Sequence, residues 1–365
     1  MIRFPGKLAL QQRVLPNYRA PFFDLLASAC DGGMSLFTGS PRPVEGITTA
    51  SNLRVADYHL GKNIHLFTGS LYACYQLGLL NWLRHWDPDA LIVEANPRYL
   101  STSAAVRWMH ERGRPVIGWG LGSPPLSGPL ARFRQIRRLS FLEQFEALIA
   151  YSQRGADEYA ALGFPREQIF VAHNSVSSAP ASVPNERART VDRFTILFVG
   201  RLQARKRVDL LLRACAQLKS NPRLVIVGDG PECEALKTLA NEIYPDAEFI
   251  GSRHGAELKP YFMEADLFVL PGTGGLAVQE AMSYGLPVIV AQGDGTQDDL
   301  VRKENGWQIP PDDFERLLST MKEALSDVAR LRRMGAVSYR IVREEINIDK
   351  MVETFATALN ILTGK

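Results

Sequence analysis

The sequence has few cysteines, little net charge and no long run of purely apolar residues, and each shortage excludes a class of protein. Its 365 residues include four cysteines, none of them in a CxxC spacing, so neither a zinc site nor a disulfide framework is indicated, and a reducing cytoplasm is expected. Lys and Arg (42) nearly balance Asp and Glu (39), for a net charge of +3. This balance argues against a nucleic-acid-binding protein, which needs a large excess of cations.

Export and membrane-spanning segments are equally hard to find. The N-terminus has no long apolar segment followed by a small-residue cleavage site, so no export signal is expected. The longest charge-free run, residues 66–83, contains several polar side chains and is rejected as a membrane span. Its apolar residues recur at three- and four-residue steps, which predicts a helix packed on a core. These residues are Leu71, Tyr72, Tyr75, Leu79 and Trp82.

What is present is an ordinary globular composition, with 46% hydrophobic and 22% charged residues and a mean hydropathy of -0.09. The length suggests about two domains. Residues 1–185 hold 18 basic and 13 acidic residues (+5), and residues 186–365 hold 24 and 26 (-2). The small surplus in the first half is compatible with a surface that meets anionic lipid.

Short strand-like runs alternate with helical segments in two series, which predicts an α/β fold of two doubly wound, Rossmann-like parallel-sheet domains facing each other across a cleft. The Ser/Pro/Ala-rich stretch between the series indicates a linker. We therefore expect a first domain over 1–176, a linker over 177–190, a second domain over 191–345 and a C-terminal helix over 346–365. The predicted strands are Leu8–Gln11, Ala90–Glu94, Pro115–Trp119, Ala147–Tyr151, Ile169–Ala172, Thr195–Val199, Arg223–Val227, Ala247–Ile250, Leu267–Leu270 and Pro287–Val290.

The loop after Thr195–Val199 carries four cations within seven positions, at Arg201, Arg205, Lys206 and Arg207. Arginine can grip a phosphate with two hydrogen bonds and lysine can place a charge on it, so the loop could clamp a diphosphate. A solvated basic turn explains the same residues.

A second loop, after Leu267–Leu270, is rich in glycine and opens a short helix that Gly285 can terminate. The backbone amides of Gly274, Gly275, Leu276 and Ala277 could bind a pyrophosphate there. Glu280, one turn further on, could accept hydrogen bonds from both hydroxyls of a ribose. Alternatively, it is a glutamate that the helix dipole favours.

The order of these segments resembles the retaining nucleotide-sugar glycosyltransferases of the GT-B fold, glycosyltransferase family 4. The resemblance covers nearly the whole chain. It rests on three motifs that occur in order: Gly200-Arg201 with Lys206, Gly228-Asp229-Gly230-Pro231, and Gly275-Leu276 followed by Glu280-Ala281-Met282 and Gly285-Leu286-Pro287-Val288-Ile289.

This resemblance implies that Arg201 and Lys206 hold the diphosphate of a UDP- or GDP-linked sugar donor and that Glu280 holds its ribose. It places Arg253 or His254 beside the base. It also implies transfer with retention of configuration, in which the departing phosphate oxygen helps to take the acceptor proton. One departure is that Gly272 stands where the family usually has a glutamate that touches the donor hexose.

No cofactor and no metal are expected. The only DxD sequence is Asp87-Pro88-Asp89, which precedes a strand and is interpreted as a turn. Cations and helix amides would already offset the charge of the leaving diphosphate.

In the first domain, three loops that follow strands should open on the cleft and meet the acceptor. The first contains Tyr18 and Arg19, the second Arg98, and the third Trp119 and Gly120. Arg19 could equally be structural. The histidine that many family members place in the third region has no counterpart here.

A basic amphipathic helix is predicted over 129–139, with Arg132, Arg134, Arg137 and Arg138. It could lie on anionic lipid at the cytoplasmic face of a membrane, or be an ordinary surface helix. Taken with these features, the resemblance implies a retaining, metal-independent hexosyltransferase with a glycan or lipid-linked acceptor, acting in the assembly of cell-surface polysaccharide or glycoconjugate. A non-catalytic sugar-nucleotide-binding subunit and a GT-B sugar-nucleotide epimerase are the alternatives.

Overall fold

The structure is a computed structural model that describes residues 2–126, 128, 131–184, 192–293 and 295–364. Parts of the predicted linker (185–190) and of the predicted basic helix (Pro129 and Leu130) lie outside the described residues. The chain divides into two compact units. Unit 1 comprises Met1–Val176 and Ile348–Lys365, and unit 2 comprises Ser177–Asn347.

The described residues form fifteen strands and thirteen α-helices. The strands are β1 Leu8–Gln11, β2 Met34–Thr38, β3 Asp57–Leu60, β4 Lys62–Leu66, β5 Ala73–Leu77, β6 Ala90–Glu94, β7 Val116–Gly120, β8 Ala147–Ala150, β9 Ile169–Val171, β10 Thr195–Val199, β11 Arg223–Val227, β12 Glu248–Gly251, β13 Leu267–Leu270, β14 Val288–Ala291 and β15 Gly306–Ile309. The helices are α1 Ala20–Ser28, α2 Leu79–Trp86, α3 Thr102–His110, α4 Ala131–Leu142, α5 Gln153–Leu162, α6 Val208–Ala216, α7 Cys233–Ile243, α8 Lys259–Glu264, α9 Ala277–Ser283, α10 Thr296–Leu300, α11 Phe314–Ala324, α12 Val328–Glu344 and α13 Ile348–Thr363.

Each unit is built on one parallel sheet. Unit 1 has the strand order β3-β2-β1-β6-β7-β8-β9, and unit 2 has the order β12-β11-β10-β13-β14-β15. All neighbours in both sheets are parallel. The central strands are apolar and buried because helices cover both faces of such a sheet. The predicted fold class, two Rossmann-like parallel-sheet domains, is confirmed.

The last helix belongs to unit 1, where α13 packs on α1, β8 and β9. The ring of Phe355 meets Trp119 edge-on, with 5.0 Å between ring centroids, and lies 5.1 Å from Phe22. The helix therefore completes the apolar layer on one face of the sheet.

Residues 66–83 are not the continuous helix that their spacing predicted. They contain the end of a hairpin, in which β4 pairs antiparallel with β5, and only the start of α2. Gly69 and Gly78 adopt positive φ angles of 60° and 91°, a conformation that breaks a helix and suits glycine. Along β5 the buried positions alternate, with Cys74 and Gln76 inside and Tyr75 exposed, so the local period is two.

In both sheets the chain order reverses at one pair of strands. These pairs are β1 and β6 in unit 1, and β10 and β13 in unit 2. Ligands of doubly wound sheets bind at the carboxyl ends of the strands near such a reversal. The loops after these four strands, together with those after their neighbours, are therefore where functional residues are expected. No helix among the described residues has the length and apolar character needed to span a membrane.

Candidate active site

In unit 2 the loops after β10 and β13 meet, and Lys206 joins them. Its side chain is buried, and its Nζ donates to the backbone oxygen of Thr273 at 2.9 Å and also to that of Gly274. The backbone N–H of Thr273 donates in return to the Arg205 oxygen at 3.0 Å. The basic loop and the glycine-rich loop thus form one rigid unit with the ammonium group inside it.

The other three cations of the basic loop differ in their surroundings. Arg201 is exposed. Arg205 is also exposed, and its Nη1 donates to the Thr273 oxygen at 3.3 Å. Arg207 is paired with Asp209 and Asp312. Arg205 therefore joins Lys206 at the glycine-rich loop, a place that sequence reasoning did not assign to it, although the density of cations pointed to the loop.

Glycine at position 272 is what lets the two loops pack so closely. A Cβ built on Gly272 would collide with the Arg205 carbonyl and lie 2.5 Å from the Cα of Lys206. The main chain of the basic loop thus fills the space that any side chain at position 272 would need. The sequence alone did not reveal this packing.

The Gly228-Asp229-Gly230 turn supports the basic loop from behind. Leu202 N–H donates to the Asp229 oxygen at 2.9 Å, and a Cβ on Gly230 would lie 2.8 Å from Leu202 N. A Cβ on Gly228 would collide with the Gly200 carbonyl. These two glycines permit backbone-to-backbone packing, so they help to position the loop that carries Arg201.

The glycine-rich loop leads into α9, which has seven residues. Gly274 has a φ of 65°, Leu276 is the N-cap residue and α9 begins at Ala277. At its other end Gly285 adopts a φ of 69° and donates to Met282, while Leu286 donates to Ala281. These two bonds form a Schellman motif, which ends the helix as the sequence predicted.

Glu280 lies in α9 and is half-buried. Burial raises the pKa of its carboxyl group above the usual range. Among the described residues its side chain has no hydrogen-bond or ion-pair partner. A half-buried carboxylate without a partner is costly, and hydroxyl donors from a ligand would reduce that cost.

Arg253 and His254 lie on an exposed loop after β12. Arg253 Nη1 donates to the neighbouring Ser252 oxygen at 2.8 Å. His254 is the N-cap residue of a short 3-10 helix over Gly255–Leu258, and its N–H donates to Glu257 at 3.3 Å. Their role beside a base stays a prediction.

In unit 1 a pocket of about 420 Å³ opens at the carboxyl ends of β6, β7 and β8. Three of the predicted acceptor residues, Arg98, Trp119 and Gly120, line it. Sequence reasoning missed Glu94, which closes β6 and lines the same pocket. Burial raises the Glu94 pKa to about 7, although the Arg13 N–H donates to its carboxylate at 2.9 Å.

The other two predicted acceptor residues are placed differently. Tyr18 is 49% exposed, whereas Arg19 is buried. The Arg19 guanidinium donates to Asn174 Oδ1 and lies 5.5 Å from the ring centroids of both Trp119 and Tyr151. Its contacts are those of a buried structural cation, and its part in ligand binding stays a prediction.

The predicted basic helix forms as α4 over its described residues. Arg132, Arg134 and Arg137 are exposed, and so are the apolar Phe133 and Ile136, at 56% and 64%. Arg138 is half-buried instead and lines the unit 1 pocket, where its Nη1 donates to Ser123 Oγ at 3.0 Å and to the Pro124 oxygen at 2.9 Å.

No group of three or more His, Cys, Asp or Glu side chains in the described ranges is arranged to hold a metal ion. Both carboxylates of the DxD sequence have structural contacts. Asp87 pairs with Arg114, and Asp89 accepts a hydrogen bond from the Lys7 N–H at 2.8 Å. Asp294 lies outside the described residues.

Comparison with known proteins identifies relatives of this chain. Residues 193–327 match the family model described as glycosyl transferases group 1. A GDP-mannose-dependent alpha-mannosyltransferase of Mycobacterium tuberculosis is 32% identical over 279 residues, which are 72% of this chain and 70% of the relative. One of the same name from Corynebacterium glutamicum is 37% identical over 165 residues, 44% of this chain and 37% of the relative. The match thus spans little more than a third of that second relative's length.

Solved structures agree with the fold at low sequence identity. HepE from Anabaena in complex with UDP has a TM-score of 0.70 and 16% identity, covering 97% of this chain and 99% of that one. The lipopolysaccharide outer core galactosyltransferase WaaB has a TM-score of 0.71 and 17% identity, with the same coverage. The names of these proteins lend no support to an epimerase or to a non-catalytic subunit.

Proposed function

Because this chain belongs to the group 1 glycosyltransferases and has the GT-B fold, we propose that it transfers a hexosyl unit from a nucleoside-diphosphate sugar to a glycan or lipid-linked acceptor. The reaction retains the anomeric configuration, needs no metal ion and serves the assembly of surface polysaccharide or glycoconjugate. The bond between the sugar C1 and the phosphate oxygen breaks, and a bond from C1 to the acceptor oxygen forms. The acceptor proton passes to the departing phosphate oxygen.

The observation that carries this proposal is the junction between the basic loop and the glycine-rich loop. Lys206 is fixed inside it by two carbonyl oxygens, and the exposed Arg205 donates to the Thr273 oxygen. Arg201 is a further exposed cation of the basic loop. Negative charge develops on the diphosphate as the sugar leaves, and cations already in place stabilise that charge without reorganisation. Unit 2 as a whole does not supply this attraction, because residues 177–347 hold 22 basic and 24 acidic residues, a net charge of -2. The attraction is therefore local.

Glu280 gives the donor its second anchor. Its carboxylate is half-buried and unpartnered among the described residues, so it can accept hydrogen bonds from the two ribose hydroxyls. Arg253 and His254, on the exposed loop after β12, are proposed to lie beside the base.

The donor to test first is GDP-mannose, because two relatives are named for that dependence. UDP-linked sugars come next, since HepE was solved with UDP. On the acceptor side, we propose that Arg132, Arg134 and Arg137 of α4 bring the enzyme to an anionic membrane surface.

Calorimetric titration of the purified protein with GDP-, UDP- and dTDP-sugars tests the donor site. We expect nucleotide sugars with one of the three bases to bind. Lys206→Met should weaken that binding at least about tenfold, because a charge-assisted contact with the donor is lost. Arg213→Gln, which removes an exposed cation of α6, is the matched control. If no donor binds, the proposal fails. If donors bind but the protein neither transfers the sugar to any acceptor in a mixture nor slowly hydrolyses the donor, the protein is better explained as a binding subunit than as an enzyme.

A further inference from the structure

The unit 1 pocket combines features that the donor site does not use. It has about 420 Å³ of space and is lined by two arginines, Arg98 and Arg138, and one carboxylate, Glu94. A pocket of this size suits a sugar-sized ligand. Its position at the carboxyl ends of β6, β7 and β8 is where a doubly wound sheet binds its ligand.

Neither arginine has a carboxylate partner in the part of the chain that the structure describes. Arg98 is exposed, and its side chain has no hydrogen-bond or ion-pair partner among the described residues. Both hydrogen bonds that Arg138 makes to described residues come from Nη1 and go to neutral oxygens, of Ser123 and Pro124.

Positive charge is crowded around Arg138. Burial lowers the pKa of its guanidinium, and the charges of Arg134 and Arg98 lower it further. Tyr159 and Glu158 raise this pKa, and Glu158 Oε1 also lies 3.5 Å from Arg154 Nε. Arg98 and Arg138, which have no carboxylate partner among the described residues, therefore favour an anionic ligand.

The remaining lining suits a sugar. Asn96, Tyr99 and Tyr151 line the pocket beside Glu94. A carboxyl group and an amide can accept and donate hydrogen bonds to hydroxyls, and tyrosine rings offer apolar faces with a polar edge. Burial raises the pKa of Glu94 to about 7, so its carboxyl group is only partly ionised near pH 7. Its repulsion of a bound anion is therefore reduced.

We propose that this pocket binds the phosphate group of a phosphate-bearing sugar acceptor, through Arg98 and Arg138, while Glu94 and Asn96 hold hydroxyl groups. This inference rests on the proposed function, since it names the class of acceptor. The phosphate can belong to a soluble phosphorylated sugar or to a lipid headgroup, and the two sources share the same chemistry at the arginines.

Binding of four probes to the full chain tests the proposal: glucose, glucose 6-phosphate, dihexanoylglycerol and dihexanoyl phosphatidic acid, with both lipids kept below their micelle concentrations. We expect each phosphate-bearing probe to bind at least about tenfold more tightly than its uncharged counterpart. Preference for glucose 6-phosphate indicates a soluble acceptor, and preference for phosphatidic acid indicates a lipid-linked one. Phosphate-bearing probes that bind no better than glucose and dihexanoylglycerol overturn the proposal.

Variants assign the binding to this pocket. Arg98→Gln changes an exposed residue and should fold normally, and Arg138→Lys keeps the charge while losing the planar fork. We expect Arg98→Gln to reduce phosphate-probe affinity at least about tenfold and Arg138→Lys to reduce it less. Arg107→Gln, on the exposed side of α3, should leave it unchanged. Equal loss in all three variants, or loss in none, contradicts the assignment.

Titration with GDP and UDP in parallel separates this inference from the proposed function. If nucleotides bind but phosphate probes do not, the acceptor inference fails and the donor proposal stands. If phosphate probes bind and no nucleotide or nucleotide sugar does, the acceptor role is wrong even though the pocket is an anion site.

Discussion

The main chain of Lys206 lies in the space that a side chain at Gly272 would need. A Cβ at position 272 would stand 2.5 Å from the Lys206 Cα, and Lys206 in turn donates to the two residues that follow Gly272. The cation and the glycine therefore depend on one another.

Gly272→Ala should disrupt this arrangement. Its Cβ meets backbone atoms, which cannot rotate away, so the basic loop must move and carry Lys206 out of place. We expect nucleotide affinity to fall at least about tenfold and the melting temperature to drop, because overpacking costs about 1–3 kcal/mol. Gly200→Ala is the control, since its Cβ would meet only the Phe198 ring, at 3.3 Å. Unchanged nucleotide affinity in Gly272→Ala would disprove the dependence.

Glu280 can be tested through the hydroxyls that it is proposed to bind. Wild-type protein should prefer GDP or UDP over the 2′,3′-dideoxy analogue by about tenfold to a hundredfold, because hydrogen bonds to a charged group contribute about 1.5–3 kcal/mol. Glu280→Ala should abolish that preference and bind both forms alike. Glu242→Ala, an exposed carboxylate of α7, should retain it. If Glu280→Ala still bound the nucleotide more tightly than its dideoxy analogue, Glu280 would not be the residue that binds the ribose hydroxyls.

Continuous apolar strands were predictable from the sequence, because strands covered on both faces have little room for polar residues. β1, β6, β10, β11 and β13 have the bounds that were predicted. β2 was missed because its run contains Ser35 and Thr38. Both are buried, and Ser35 is satisfied by Asp57 and the Trp82 indole, partners that only tertiary structure reveals.

Site residues were predictable only where residues with the required chemistry lie close together in the sequence. The cation-rich loop and the glycine-rich loop each stand out along the chain, and the structure brings Lys206 to Thr273. The raised pKa of the Glu94 carboxyl could not be foreseen, because its surroundings include a loop distant in sequence, the one after β1, whose Arg13 N–H donates to the carboxylate. The packing at Gly272 was hidden for the same reason.

Arg19 distinguishes a structural cation from a ligand-binding one. It is buried between Asn174, Trp119 and Tyr151, so Arg19→Met should lower the free energy of unfolding by about 1–3 kcal/mol, since a hydrogen bond to a charged group and cation–π contacts are lost. Thermal denaturation measures this, with Arg107→Met, which removes an exposed cation of α3, as the control. An unchanged melting temperature combined with weakened acceptor binding would instead support the predicted role in the cleft.

Glu94 should make stability depend on pH. Burial raises the pKa of its carboxyl to about 7 in the folded protein, against a usual pKa of 4.5. Between pH 4.5 and pH 7 the folded state therefore holds a proton that the unfolded state releases. Raising the pH from 4.5 to 7 therefore lowers the stability of the wild type by on the order of 2 kcal/mol relative to Glu94→Gln, which cannot ionise. Denaturant unfolding across this range measures the difference, and exposed Glu143→Gln should follow the wild type. A constant difference between wild type and Glu94→Gln would contradict the raised pKa.

The exposed face of α4 should bind anionic membranes. Each cation near such a surface contributes about 1 kcal/mol, so replacing Arg132, Arg134 and Arg137 together with glutamine should reduce partitioning onto vesicles containing phosphatidylglycerol by about a hundredfold. The double variant Phe133→Ser/Ile136→Ser should also weaken vesicle binding, because it removes two exposed apolar side chains. That loss should not depend on salt concentration, whereas the loss caused by replacing the arginines should. Neutral phosphatidylcholine vesicles are the control. Equal binding of wild type and the triple variant to anionic vesicles would leave α4 an ordinary surface helix.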